Sequence, residues 1–242
     1  MEATMNAEPR NAALPPAGGS MLAAAVTRAR PAAAAATLAG TLGLAAACWV
    51  VAAWQMAGMD MGTATRLGSS GSFIAVWVVM MAAMMLPGAA PAAARRARAG
   101  AARAVPLFLG SYLAVWVLAG VAVYAVYRPH AALAAGAVTI GTAVYEVTPL
   151  KRHFRRRCRE ATGSGFRFGL HCAGSSAGLM LMLVALGVMS ITWMALIAVL
   201  LLAQKLLPAK TAFDLPLALA IAGFGTLIVI APSLVPGLSP PM

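Results

Sequence analysis

The stretch Trp77-Val78-Val79-Met80-Met81-Ala82-Ala83-Met84-Met85-Leu86-Pro87 sits inside an apolar run from about residue 72 to 94, and its reading decides the rest. At about 100° per residue, Met80, Met84, Trp77, Met81 and Met85 fall at roughly 0°, 40°, 60°, 100° and 140°, with Ala82 and Ala83 on the other side. A helix here carries its sulfur on one face. Thioethers are soft, polarizable and uncharged, so they ligate Cu(I) where a carboxylate would be too costly to desolvate. Methionine also fills gaps between helices, which is its ordinary role. Four methionines within six positions set a ligand face beside that packing role.

The run is one of several. Hydrophobic residues make up 62% of the chain and charged residues 10%, with a mean hydropathy of +0.85, which excludes an ordinary soluble domain. Apolar segments recur at about 32–54, 72–94, 105–127, 130–149, 168–188, 190–207 and 213–235. Each is close to the roughly 20 residues that cross a hydrocarbon core. The expected architecture is therefore an all-α polytopic transmembrane helical bundle of about seven spans. Residues 1–30, rich in Ala and Pro with scattered charge, read as a disordered cytoplasmic tail, and residues 31–242 as a single transmembrane helical domain. The first apolar segment is too long for a cleaved signal, and Trp49 and Trp54 suit an interfacial anchor.

The formal charge of +12 comes in short clusters between apolar runs and forms no continuous basic surface, which excludes nucleic acid as a partner and marks membrane orientation instead. With the N-terminus inside and the C-terminus outside, all Lys and Arg fall on cytoplasmic segments except Arg66 and Arg128. The pair at 168–207 turns at Gly187 to Ser190 and is also compatible with a re-entrant hairpin.

Candidate ligands follow from that topology. The first outer loop, Gln55-Met56-Ala57-Gly58-Met59-Asp60-Met61-Gly62, places Met56, Met59, Asp60 and Met61 where metal would arrive, as a Met-rich capture patch or an interfacial turn. The fifth segment carries His171, Cys172, Ser175, Met182 and Met189, and His171, Ser175, Met182 and Met189 share one stripe. If the second and fifth segments are neighbours, sulfur runs from the outer loop through Met189, Met194, Met182 and Met80 to Met84 and Met85, towards His171 and Cys172. Such a ladder passes a soft ion along but supplies no energy. Glu146, beside the basic run Lys151 to Arg159, reads as an ion-pair residue or, in a transporter, as a proton relay. Cys158 and His153 look isolated, the basic run reads as an orientation signal and anionic-lipid contact, and Asp214 as a helix-start residue. No Walker motif, nucleophile elbow, HExxH or carboxylate pair occurs, so the chain does not read as an enzyme.

Four motifs in order, Gly58-Met59-Asp60-Met61-Gly62, Trp77-x-x-Met80-x-x-x-Met84-Met85-Leu86-Pro87, Tyr145-x-x-Thr148-Pro149-Leu150-Lys151 and Gly187-Val188-Met189-Ser190-x-x-Trp193-Met194, resemble the DUF2182 family over about residues 32–210. These are bacterial integral membrane proteins described as metal-binding and sometimes labelled copper chaperones. The resemblance implies a multi-pass protein of the bacterial cytoplasmic (inner) membrane that handles copper, as Cu(I), and passes it to a periplasmic or membrane copper-dependent protein. Two positions depart from the family: Ser175 and Ser176 stand where relatives commonly have adjacent cysteines, and Gln204 where they commonly have Glu. The other reading of those departures is a structural or accessory subunit whose metal site has decayed.

Overall fold

A computed structural model of the protein describes residues 17–57, 69–127, 132–160, 163–187, 190–207 and 211–235, with side chains from residue 29 and, in the last helix, from Asp214. Among the described residues all regular structure is helical: α1 (Ala17–Met56), α2 (Ser70–Arg96), α3 (Val105–Val126), α4 (Ala132–Val147), α5 (Pro149–Glu160), α6 (Gly165–Gly187), α7 (Ile191–Leu206) and α8 (Thr211–Ile230). The class is the expected all-α bundle. Helices satisfy their own backbone polar groups, which is what an apolar chain needs if it is to sit in hydrocarbon.

Seven of these helices coincide with the seven apolar segments, and α5 is an eighth. Ala29–Met56, Ser70–Val126 and Gly165–Gly187 are long and apolar enough to cross a membrane; α4 and α5 pass that test only as a pair bent by 65°, and α7 and α8 are shorter apolar helices. Ser70–Val126 is a hairpin rather than one rod. A π-helical turn at Ala97–Ala101 and a 3-10 turn at Ala102–Ala104 reverse the chain, and α2 and α3 then pack against each other. Gly100 adopts φ 94° at this reversal, a conformation that a Cβ would strain.

Helix α1 begins at Ala17, inside the stretch expected to be a disordered tail, and runs on through Pro31 into the first apolar segment. The remaining tail residues, 1–16, lie outside the described residues.

Helix α2 packs against α1, α3 and α7. Met80, Met81, Met84 and Met85 are all buried, and so are Ala82, Ala83 and Leu86 on its other side. The small Ala82 lets α1 approach closely, with Ala45 and Cys48 against Ala82 and Leu86. Helices α3 and α7 each pack against both α2 and α6, so they join the two sulfur-bearing helices.

Glycine sets the closest helix contacts. A Cβ at Gly165 would lie 1.9 Å from the Phe108 carbonyl oxygen, which shows how tightly the start of α6 abuts α3. Gly174 and Gly178, one turn apart on α6, receive α5 and α4: Phe154 covers Gly174, while Tyr145 and Thr142 lie against Gly178. The Tyr145 hydroxyl donates to the Gly174 carbonyl at 2.6 Å and the Thr142 hydroxyl to the Gly178 carbonyl at 2.9 Å.

Helix α5 changes the reading of the basic run. Thr148 caps it, its Oγ1 accepting from the Lys151 amide at 3.3 Å, and Pro149 starts it, as proline does in a first helical turn. Residues 151, 154, 155 and 158 then share one face by their i, i+3, i+4, i+7 spacing. Lys151 and Arg155 are buried on that face, while Arg156 and Arg157 are exposed. Only the outward half of the cluster is available to lipid or water.

The inward half builds a polar clamp. Lys151 Nζ pairs with Glu146 Oε2 and donates to Gln204 Oε1 at 3.0 Å, and Gln204 Nε2 donates to the same Glu146 oxygen at 2.6 Å. Arg155 donates through Nη1 to Asp214 Oδ1 at 2.7 Å and through Nη2 to the Gln204 carbonyl at 2.6 Å. Two carboxylates thus balance two cations around a neutral amide, which is how buried charge is tolerated. Glu146 forms the expected ion pair, but buried at 1% exposure; Asp214 lies in the first turn of α8, at the helix start as expected, and also anchors Arg155. Helices α4, α5, α7 and α8 are fastened at this point.

Candidate metal centre

The sulfur face of α2 points into the core. Met80, Met81, Met84 and Met85 share one continuous apolar core with Met56, Cys172, Met182 and Met194. Trp77 closes one side, its Nε1 donating to the Trp116 carbonyl at 2.7 Å. Met56 is the described member of the outer-loop patch and is buried against this core; Met59, Asp60 and Met61 lie outside the described residues, as does Met189.

The fifth segment, α6, divides its two candidates. Cys172 faces inward and is fully buried, whereas His171 turns towards α5, its ring 6.3 Å from that of Phe154, with Nδ1 buried and without a hydrogen-bond partner. The residues sit about 100° apart on one helix, so a helix that buries one must swing the other round. The structure places His171 apart from the α2 methionines and brings Cys172 to them.

Tyr112 on α3 makes that connection. Its hydroxyl, fully buried, lies 3.3 Å from the Cys172 sulfur and 3.3 Å from the Met85 carbonyl, to which it donates. From α7, Lys205 reaches inward, its Nζ 3.6 Å from Met85 Sδ. Gly88 makes room for this path: a Cβ there would lie 2.3 Å from Lys205 Cδ. Cys158, on the inward face of α5, is half-buried and packs against the same core. Both cysteines are free thiols.

Three of these residues were not legible as a site. Cys158 looked isolated because α5 was not recognised as a helix; the i, i+3, i+4, i+7 spacing of Lys151, Phe154, Arg155 and Cys158 was the available signal. Tyr112 and Lys205 carry no motif, and only packing brings them in. Ser175 and Ser176 are buried, and the Ser175 hydroxyl donates to the Cys172 carbonyl at 2.8 Å, as a helix-internal hydroxyl does.

Among the described residues, no three His, Cys, Asp or Glu side chains converge. The donor set that does converge is soft: thioethers and thiols held in a low-dielectric core, a chemistry suited to Cu(I) and poorly suited to hard cations. No curated protein and no solved structure matches the chain. A family model described as copper chaperone, PpoB2, matches residues 74–228, which take in most of α2, all of α3 to α7 and most of α8. The chain belongs to this copper-chaperone family.

Proposed function

We propose that the protein is a multi-pass protein of the bacterial cytoplasmic membrane that binds Cu(I) and hands it on, without enzymatic activity, to a periplasmic or membrane copper-dependent protein. Its N-terminus is inside, its C-terminus outside, and its seven apolar helices are the spans. The observation that carries this reading is the inward orientation of Met80, Met81, Met84 and Met85, four thioethers in one core with Cys172 and Met182. Thioethers bind Cu(I) weakly enough to release it, and several in one core allow stepwise exchange. Membership of a copper-chaperone family supports copper as the cargo.

The test replaces all four α2 methionines with leucine, which keeps volume and helix propensity. The purified variant should fold as the parent does and carry less copper per chain. Equal copper in both would overturn the reading.

A structural or accessory role is the second reading, favoured by the absence, among the described residues, of three converging His, Cys, Asp or Glu side chains. On that reading the four-Leu variant would lose a partner protein on co-purification while its metal content stayed unchanged.

A further inference from the structure

The four methionines of α2 are alike in chemistry but not in surroundings. All are buried, yet among the described residues Met85 is the one whose sulfur meets a cation: Lys205 of α7 places its Nζ 3.6 Å from Met85 Sδ. A lysine does not ordinarily end there. Long cationic side chains carry their charge towards water, and a thioether is a weak acceptor for an ammonium. Lys205 instead lies along Gly88, where a Cβ would stand 2.3 Å from its Cδ, 3.0 Å from Cε and 2.7 Å from Nζ. The buried carboxylates Glu146 and Asp214 pair with Lys151 and Arg155, and among the described residues neither forms an ion pair with Lys205. The ammonium therefore meets the sulfur face as a charge with no carboxylate to balance it.

The lysine also marks one end of the sulfur. Met56 ends α1, Met182 lies near the end of α6 and Met194 in the first turn of α7, helix ends that the topology above puts outside. Lys205 lies in the last turn of α7, at the inner end. Met85 stands about 7.5 Å nearer that end than Met80, at about 1.5 Å per residue.

From this arrangement we infer that Lys205 determines where on the thioether face Cu(I) rests: its ammonium takes the place of a metal ion at Met85 and keeps the ion on Met80, Met81 and the sulfurs beyond them. The inference rests on the copper-handling reading above and specifies which part of that face holds the ion. Thioethers are neutral, so these donors bring no charge to offset the repulsion between Cu(I) and an ammonium, and two like charges about 4 Å apart repel strongly in a protein interior. Ligation by Met85 requires Lys205 to withdraw. The lysine acts by charge alone, making no bond to the ion. Its effect is to weaken binding at the inner end and leave the ion towards the outer end, where an acceptor outside the membrane would collect it.

The experiment titrates the purified full chain anaerobically with Cu(I) held by a competing chelator. K205Q, which removes the charge and adds no sulfur, should bind Cu(I) about tenfold or more tightly than the parent. K205R, which keeps the charge, should show no such gain. R98Q removes an exposed cation remote from the sulfur face and should match the parent. On an M85L background K205Q should gain clearly less, because the thioether it would release is gone. If K205Q does not fold as the parent does, K205A removes the same charge and is read in the same way. Copper bound equally or more weakly by the neutral variant than by the parent would overturn the inference and leave the methionine reading standing. An equal gain in K205R or R98Q, or an undiminished gain on the M85L background, would also overturn it, since the effect would then not be that of a charge at Met85. No copper bound by the parent would overturn both readings.

Discussion

The Lys205 ammonium lies 3.6 Å from the Met85 thioether, and its aliphatic stem runs over Gly88 to get there. A Cβ at residue 88 would stand 2.3 Å from Lys205 Cδ and 2.7 Å from Nζ, so the two positions are sterically coupled. Gly88→Ala should lower the melting temperature in detergent, and Gly88→Ala combined with Lys205→Ala should lower it less than the two single changes summed. A double-mutant coupling of about 1 kcal/mol is expected, and additivity would show that the lysine does not occupy that path.

Tyr112 gives a subtler effect. Tyr112→Phe keeps the ring, which packs on Phe168 at 5.3 Å, and removes only the buried hydroxyl between Met85 and Cys172. The expected loss is about 1 kcal/mol in chemical denaturation, the usual net worth of a buried hydrogen bond. No change would mean that the hydroxyl is satisfied otherwise.

The clamp between α4, α5 and α7 is a charge-balance device, and the asymmetry of its mutants should reveal that. Lys151→Ala strands Glu146 in the core and should cost about 3 kcal/mol or more. Glu146→Gln combined with Lys151→Met removes both charges and should cost clearly less in the same thermal or denaturant unfolding. Equal losses would show that packing, rather than charge pairing, is at stake. Gln204 belongs to this balance: its amide nitrogen donates to Glu146, which a carboxylate at that position could not do without a shared proton.

Glycines divide into two kinds. Gly165→Ala would drive a Cβ to within 1.9 Å of a backbone oxygen on α3, so it should separate the helices and cost about 2 kcal/mol or more. Gly141, exposed on α4, has nothing within 4 Å of its Cβ position, and Gly141→Ala should be neutral or stabilising by up to about 1 kcal/mol. Parallel melting curves of the two variants check both expectations.

Much of this was readable residue by residue. The apolar segments and the sulfur face of α2 follow from local periodicity, and the Tyr145-x-x-Thr148-Pro149-Leu150-Lys151 motif now has a mechanical sense. Tyr145 ties α4 to α6, Thr148 caps α5, and Lys151 pairs with Glu146. What misled was the density of charge after Pro149, where an amphipathic helix with a buried face was hidden among arginines. Its two inward cations are paid for by Glu146 and Asp214, which are distant in sequence or sit in other helices, so charge counting alone pointed the whole run outward.

The linear chain by itself determined an all-helical bundle and a methionine stripe, because hydrophobic length and the 3.6-residue period are local properties of a helix. Folding in three dimensions decided which sulfurs meet. The Tyr112 hydroxyl on α3 links Cys172 to Met85, the 65° bend after α4 docks α5 with Cys158 on α6, and Lys205 reaches Met85 through the gap at Gly88. Those encounters depend on how separate helices pack, and no periodicity within one of them encodes it.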